Sequence, residues 1–213
     1  MVDPEDRIVR RLLELISDNA EISQRRLARE IGIAIGSVNW YVKRCVNKGL
    51  VKLRRVPSKR YLYFVTPQGL DEKSRLTANF LRSSLELYRR GREQCSAFFD
   101  FCDREGKLRV FLAGDGDLAE IAVLARLAMG SGPPAAVIDK NRQRRLCAGV
   151  CVVESLDDAI LHSAPDAILM TELKDPANAY AVIVAELNRK GLANDIIHVP
   201  PLLNFKPPKS TRD

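Results

Sequence analysis

The feature that most constrains this chain is the stretch at residues 22–51, whose pattern predicts two short helices joined by a tight turn. Ser23 is a good N-cap, because its hydroxyl can accept a hydrogen bond from a first-turn amide. Ile22, just before it, can pack on Leu27 inside the helix. Gly32 is expected to end this helix, since glycine adopts the left-handed conformation at little cost.

The second helix is predicted over residues 37–48, opened by Gly36 and followed by a left-handed Gly49. Its apolar residues recur at i, i+4, i+7 and i+8, which places them on one buried face: Val38, Val42, Cys45 and Val46. The opposite face carries donors and cations but no carboxylate: Ser37, Asn39, Trp40, Lys43, Arg44 and Asn47. Such side chains suit phosphates and base edges, so we expect this helix to bind DNA.

A β-hairpin is predicted directly after this helix, because two alternating segments, VKLRRV and YLYFV, flank the basic turn PSKR. A helix-turn-helix followed by such a hairpin resembles the winged-helix regulators, in particular the MarR-like group. Residues 23–69 carry the resemblance, which includes the closing TPQG. In that family the second helix enters the major groove, and the wing touches the backbone or the minor groove.

The resemblance implies a set of DNA contacts on the two helices and the wing: Gln24, Arg25, Ser37, Asn39, Trp40, Lys43, Arg44, Arg54, Lys59 and Arg60. Two alternatives stay open at this point. The winged helix can serve protein contact alone, and Trp40 can pack against the wing instead of meeting DNA.

Positive charge is concentrated in this part of the chain. Residues 20–66 carry eleven Lys and Arg against only Glu21 and Glu30, a net charge of +9, whereas the whole chain has +7. The remainder is therefore slightly acidic. Such clustering is typical of polyanion binding and weighs against a winged helix that contacts only protein.

The remaining composition predicts a cytoplasmic protein of two small domains. The N-terminus lacks the apolar core of a signal peptide, and no run approaches the length of a membrane span. Five scattered cysteines predict buried, reduced thiols, with a switch between Cys147 and Cys151 as the alternative. A first helix is predicted over residues 5–18, with this inner face: Ile8, Leu12, Leu15 and Ile16.

A long helix is predicted after the wing, capped by Thr66, begun by Pro67 and running to about Arg92. It carries an apolar stripe: Phe80, Leu81, Leu85 and Tyr88. In the MarR-like picture such a helix carries a homodimer interface, and two recognition helices on a two-fold axis match an inverted-repeat operator. The alternative is that the stripe packs on the chain's own second domain.

The second domain is predicted to be a parallel α/β sandwich, because apolar strands alternate with helices from residue 108 to 201. It has about half the size of a full dinucleotide-binding domain. The predicted division is a winged-helix domain at 1–66, a linker or dimerisation helix at 67–105, a Rossmann-like domain at 106–201 and a tail at 202–213.

A glycine-rich turn follows the first strand of this domain. Gly114, Gly116 and Ala119 form G-x-G-x-x-A, and Asp139 ends the next strand, where a ribose hydroxyl is expected. The domain resembles the small Rossmann-like domains at the N-terminus of bacterial polysaccharide enzymes, such as sugar acetyltransferases. The resemblance implies a nucleotide sugar or nicotinamide cofactor and this set of ligand contacts: Gly114, Asp115, Gly116, Asp117, Leu118, Asp139, Lys140 and Thr171.

The turn departs from the pattern because it contains two carboxylates. Asp115 and Asp117 would repel a phosphate unless a cation or an arginine screens them. Asp117 is explained as a helix N-cap, whereas Asp115 is not. The pocket therefore holds a ligand with less phosphate charge, needs a metal, or has become structural. Four cations after the second strand are candidates for the screening charge, with a solvated loop as the simpler alternative: Lys140, Arg142, Arg144 and Arg145.

No catalytic residues and no metal ligands are predicted. The two histidines, His162 and His198, have no metal-ligand spacing, and the nucleophile and dehydrogenase motifs are absent. We therefore expect a dimeric DNA-binding transcriptional regulator whose second domain senses a nucleotide sugar or nucleotide, with polysaccharide or cell-surface genes as targets. The alternatives are a constitutive DNA-binding protein with a protein-interaction domain, and a nucleotide-sugar-modifying enzyme fused to a winged helix.

Overall fold

A computed structural model of the chain describes residues 3–55, 61–141, 144–160 and 164–208. The chain divides into two compact units, Met1–Glu86 and Leu87–Asp213. The division falls inside one long helix, Pro67–Arg104, rather than at a loop. Phe98 and Phe99, near the end of that helix, are buried in the core of the second unit, which explains why that unit starts upstream of residue 106.

The described residues of the first unit form the predicted helix-turn-helix and hairpin. The elements are α1 (Pro4–Asp18), α2 (Gln24–Ile31), α3 (Ile35–Asn47), β1 (Val51–Arg55), β2 (Tyr61–Val65) and the first part of α4 (Pro67–Arg104). The two strands pair antiparallel, from Val51 opposite Val65 to Arg55 opposite Tyr61. The predicted wing tip, with Lys59 and Arg60, lies outside the described residues.

The local signals at the ends of α2 and α3 act largely as predicted. The Ser23 hydroxyl accepts a hydrogen bond from the Arg26 amide at 3.2 Å, and Gly32 ends α2 at a φ of 77°. Gly49 follows α3 at a φ of 72°. The amide of Leu50, the next residue, donates a hydrogen bond to the Cys45 carbonyl, which is the Schellman arrangement. The predicted start of α3 is two residues late, because the helix begins at Ile35, with Ala34 as its N-cap, instead of at Ser37 after Gly36.

The inner face of α1 differs from the predicted one. The buried residues are Val9, Leu12, Leu13 and Ile16, whereas Ile8 and Leu15 are only partly buried. The sequence of this helix has apolar residues on a wide arc, so two neighbouring stripes satisfy helical spacing equally well. Packing against α2 and α3 selects the stripe centred on Leu12 and Leu13.

A tight junction joins the end of α3, the hairpin and the start of α4. The Thr66 hydroxyl donates to the Gly49 carbonyl at 2.6 Å and accepts from the Gly69 amide at 3.0 Å. A Cβ on Gly69 would lie only 2.1 Å from the carbonyl oxygen of Leu50. The predicted Thr66 cap is confirmed, and α4 continues beyond Arg92 to Arg104 because no glycine or proline after Gly91 breaks it.

The second unit is built on a mainly parallel sheet covered by helices. Its elements are β3 (Val110–Ala113), α5 (Asp117–Ala128), β4 (Ala136–Ile138), β5 (Leu146–Cys147), β6 (Val150–Val153), α6 (Leu156–Ala159), β7 (Ala167–Met170), α7 (Pro176–Arg189) and β8 (Ile197–His198). The strands lie in the order β5-β6-β4-β3-β7-β8. The predicted parallel sheet is confirmed for every neighbouring pair except β5 and β6.

The antiparallel pair β5 and β6 is a hairpin. Ala148 and Gly149 form its turn with positive φ values of 46° and 91°, which suits a two-residue connection. Cys147 is buried and Cys151 is exposed, and neither is opposite the other in the register. Burial raises the pKa of the Cys147 thiol to about 12. The alternative of a switch between these two cysteines therefore does not fit the hairpin.

Within the described ranges, every helix is too short or too polar to cross a membrane.

The Gly69 contact gives a stability prediction. We expect Gly69→Ala to lower the free energy of unfolding by about 1–3 kcal/mol, because the added methyl group overlaps backbone that cannot rotate away. Gly36→Ala is the matched control: its Cβ would meet open space, and alanine is favoured over glycine inside a helix by about 0.5–1 kcal/mol. Chemical denaturation of both variants measures the difference. A Gly69→Ala protein as stable as the wild type would contradict the junction described above.

Candidate nucleic-acid interface and glycine-rich turn

The side of α3 that was predicted to face DNA is turned to solvent. Ser37, Trp40, Lys43 and Asn47 are exposed, whereas Val38, Val42 and Cys45 on the other side are buried. Asn39 and Arg44 are partly buried. The helix therefore presents hydroxyl, amide, indole and ammonium groups outward while its apolar side holds it on the core.

Trp40 makes its ring contacts within α3 itself. Its side chain is 53% exposed, its ring meets that of Tyr41 edge-on at 4.8 Å, and the guanidinium of Arg44 lies 5.1 Å from its centroid. An indole in this position is available to a groove or a backbone. The Arg44 guanidinium lies over the face of the indole, and this cation–π contact limits the rotamers that Trp40 can take.

Arg44 has a second partner that the sequence analysis missed. Its guanidinium forms an ion pair of 2.6 Å with Glu5, in the first turn of α1. The two residues are far apart in the sequence, and no local spacing signals their contact. The pair places a carboxylate beside a cation that was predicted to bind phosphate.

The predicted contacts outside α3 differ in their surroundings. The amide nitrogen of Gln24 donates to the Tyr63 hydroxyl at 3.3 Å, so this side chain ties α2 to the hairpin. Arg25 and Arg54 are exposed. Lys52, which was not predicted as a contact, lies on the same hairpin face as Arg54, opposite the exposed Phe64. The two-residue alternation of the strand was the available signal for Lys52.

The glycine-rich turn is packed against its own domain. Gly114 has a φ of 111°, and a Cβ there would lie 2.6 Å from the Glu172 amide nitrogen. The Thr171 hydroxyl donates to the Gly114 carbonyl at 2.7 Å. Thr171 and Gly114, two of the predicted ligand contacts, thus hold β7 and the turn together.

Asp139 directly follows β4, where the G-x-G-x-x-A pattern places an acid. Both of its carboxylate oxygens accept hydrogen bonds from backbone amides. One oxygen accepts from Asp115 at 2.9 Å and the other from Asn141 at 2.8 Å. Lys140, the next residue, is exposed. The carboxylate is therefore fixed by the turn and by the loop that follows β4.

Asp115 is neutralised by an arginine. Its side chain is only 3% exposed, and Arg144 Nε lies 2.7 Å from one carboxylate oxygen and 3.0 Å from the other. The same guanidinium donates to Glu120 through Nη1 and to the Cys147 sulfur at 3.3 Å through Nη2. Glu120 and Asp115 together raise the pKa of Arg144, so it stays charged.

The other predicted ligand contacts in the turn, Gly116, Asp117 and Leu118, have mainly structural roles. Gly116 is the N-cap of α5 and Asp117 is its first helical residue, so the explanation of Asp117 as N-cap is wrong. An N-cap must precede the helix, and the turn closes one residue earlier than its sequence suggested. The Leu118 side chain is fully buried, which leaves only its backbone to meet a ligand.

A family comparison agrees with the fold of the first unit. Residues 5–52 match the family model described as winged helix-turn-helix DNA-binding, which spans α1, α2, α3 and the start of β1. The N-terminal unit is therefore a winged helix-turn-helix DNA-binding domain, as the sequence predicted.

Comparisons of the whole chain with solved structures and with curated proteins identify fewer similarities. Among solved structures, the chain is similar to the PcaV transcriptional regulator from Streptomyces coelicolor, solved in complex with its natural ligand, with 22% sequence identity and a TM-score of 0.35. The likeness covers 50% of this chain and 74% of that one. No curated protein matches the chain.

The ion pair between Glu5 and Arg44 gives a prediction for DNA affinity. We expect Glu5→Gln to tighten DNA binding by up to about fivefold, because exposed ion pairs are worth about 0.2–1 kcal/mol and the variant frees Arg44 for a phosphate. Fluorescence anisotropy at fixed salt measures the change. Glu105→Gln, an exposed residue of the second unit with the same charge loss, should leave affinity unchanged. Weaker or equal binding by Glu5→Gln would show that Arg44 does not contact DNA.

Proposed function

We propose that this protein is a non-enzymatic, DNA-binding transcriptional regulator. The observation that supports this best is the carboxylate-free, solvent-facing side of α3, which lies within a segment of net charge +9 in a winged helix-turn-helix domain. Side chains that donate hydrogen bonds or carry positive charge bind phosphates and base edges, and an exposed helix of this size fits the major groove.

The proposed contacts divide by role. Ser37, Asn39 and Trp40, near the start of α3, are assigned to base edges, because the N-terminal part of a recognition helix enters the groove. Lys43 and Arg44 are assigned to the groove or the phosphates beside it. Further contacts come from α2 and the wing: Gln24, Arg25, Lys52, Arg54, Lys59 and Arg60.

We further propose that the protein is a homodimer joined through α4. Leu81, Leu85 and Tyr88 are 55%, 54% and 41% exposed and are spaced by four and three residues, which is the spacing of a coiled-coil seam. Phe80 does not belong to this seam, because its ring is covered by the Arg10 guanidinium at 4.5 Å. A second copy supplies the complementary seam, and two recognition helices then match an inverted-repeat operator.

The second unit is proposed to sense a small metabolite. Its five parallel strands follow the order 3-2-1-4-5, the order of a doubly wound nucleotide-binding sheet, which supports the Rossmann-like classification. A nucleotide sugar or nucleotide as effector, and genes for polysaccharide or cell-surface synthesis as targets, rest on the resemblance of this domain to those of polysaccharide enzymes. Coupling between effector and DNA is typically worth about 1–3 kcal/mol.

DNA binding is tested at Lys43. The side chain is exposed, so Lys43→Ala should weaken binding to the DNA upstream of the protein's own gene by about tenfold and leave the melting temperature unchanged. Anisotropy across a salt series should also give a shallower slope, by about 0.9 for each phosphate that the variant no longer neutralises. Lys174→Ala, an exposed lysine of the second unit, is the control. Unchanged affinity of Lys43→Ala would refute the assignment of this face, and absence of specific binding by the wild type would refute the proposed function.

The dimer is tested at Leu85. Light scattering on the wild type should give twice the chain mass of 23.8 kDa. Leu85→Glu should raise the dimer dissociation constant by at least about tenfold, because a buried carboxylate without a partner costs several kcal/mol. Leu124→Glu makes the same change at a similarly exposed leucine of α5 and should leave the mass unchanged. A monomeric wild type, or a Leu85→Glu dimer of normal affinity, would exclude this interface.

A further inference from the structure

The glycine-rich turn at residues 114–117 has the sequence of a phosphate site, and its atoms allow that assignment to be tested. A doubly wound domain binds a pyrophosphate by three features: glycines that let it approach the backbone, free amides at the helix N-terminus, and an acid on the next strand whose carboxylate meets the ribose. Each feature is present here by spacing. The contacts of the first glycine and of the acid, together with the charge of the turn, decide whether a phosphate can approach it.

The first glycine is explained by packing inside the domain. A Cβ at Gly114 would lie 2.6 Å from the amide nitrogen and 2.7 Å from the Cα of Glu172. Only glycine fits there, because the backbone after β7 passes directly over it. Gly114 is thus required by the contact between two strand ends, and no ligand has to be invoked for it.

The acid of the fingerprint is also engaged. Asp139 accepts the Asp115 amide on one oxygen and the Asn141 amide on the other. The first of these amides belongs to the turn itself, so the carboxylate stands against the backbone that a phosphate would have to approach. A phosphate there would meet the negative charge of Asp139 at close range.

The negative charge of Asp115 in the turn is neutralised by an arginine of the same domain. Asp115 is nearly fully buried and is held by the guanidinium of Arg144, whose other nitrogens donate to Glu120 and Cys147. A buried carboxylate requires such a partner. Arg144 therefore cannot leave Asp115 to bind a phosphate without exposing an unpaired buried charge.

We infer that the glycine-rich turn is closed to nucleotide phosphate, and that Arg144 serves as the internal counter-charge which locks it. The guanidinium joins the turn after β3, the first part of α5 and the start of the β5–β6 hairpin into one hydrogen-bonded unit. The nucleotide that the fold implies does not fit this turn. This inference rests on the proposed sensing role of the second unit and restricts it: an effector that carries a nucleotide phosphate must bind elsewhere in that unit. It is independent of DNA binding.

Gly116 provides the sharpest test of closure. In a dinucleotide site this glycine must stay bare, whereas here a Cβ on Gly116 would meet nothing within 4 Å, and its φ of −130° suits any residue. Gly116→Ala should therefore fold normally. Calorimetric titration of the full-length wild type and this variant with ADP, NAD⁺ and UDP-glucose separates the cases.

We expect no saturable binding to the wild type, or binding that Gly116→Ala leaves unchanged because the nucleotide lies elsewhere. Wild-type binding that Gly116→Ala weakens tenfold or more would overturn the inference. Anisotropy on DNA in parallel reports the proposed function separately, because closure of the turn predicts nothing about DNA affinity.

The role of Arg144 is tested by a double-mutant cycle. Arg144→Gln should lower the melting temperature by several degrees, because Asp115 is left buried without its counter-charge. The double variant Asp115→Asn/Arg144→Gln should recover part of the loss, because it removes both charges together. If Arg144→Gln melts like the wild type, or if the two changes simply add, Arg144 does not lock the turn and the inference fails.

Discussion

The close approach of Gly69 to the carbonyl of Leu50 is the contact on which the first unit depends. It brings the end of α3, the start of β1 and the first turn of α4 to one point, and Thr66 bonds across the same point to Gly49 and Gly69. This junction fixes the end of α3, and so helps to set which side of the helix is exposed to solvent. A side chain on Gly69 would separate all three elements, which is why a helix tolerates glycine in its first turn here.

The sequence predicted most of the first unit because its signals are local. An N-cap at Ser23, a left-handed residue at Gly32 and the Thr66 and Pro67 start of α4 each act within a few residues. Long-range contacts were beyond such reasoning. Neither the pairing of Arg44 with Glu5 nor the covering of Phe80 by Arg10 is visible in spacing, since each joins residues on different elements.

These two contacts alter the expected roles of the exposed side of α3 and of the apolar stripe on α4. Arg44 is at once a candidate phosphate contact and a partner of α1, so its charge is shared between the domain and any DNA. Phe80 leaves the apolar stripe of α4, which reduces the exposed seam to Leu81, Leu85 and Tyr88. The residue type and its position on the helix define the contacts that a side chain could make. The neighbouring side chain determines which of these contacts is still available.

In the second unit, too, the nearest neighbours decide the role of each group: the residues match the spacing of a ligand site, but their partners lie within the domain. Gly114 and Asp139 follow the ends of the adjacent strands β3 and β4, and any parallel sheet in which two such strands are neighbours brings these ends together. The spacing is therefore a property of the topology before it is a property of a ligand site. A turn that can bind phosphate differs from a closed one in the hydrogen-bond partners of its polar groups. In this chain the Asp115 amide binds Asp139, and the Arg144 guanidinium binds the Asp115 carboxylate.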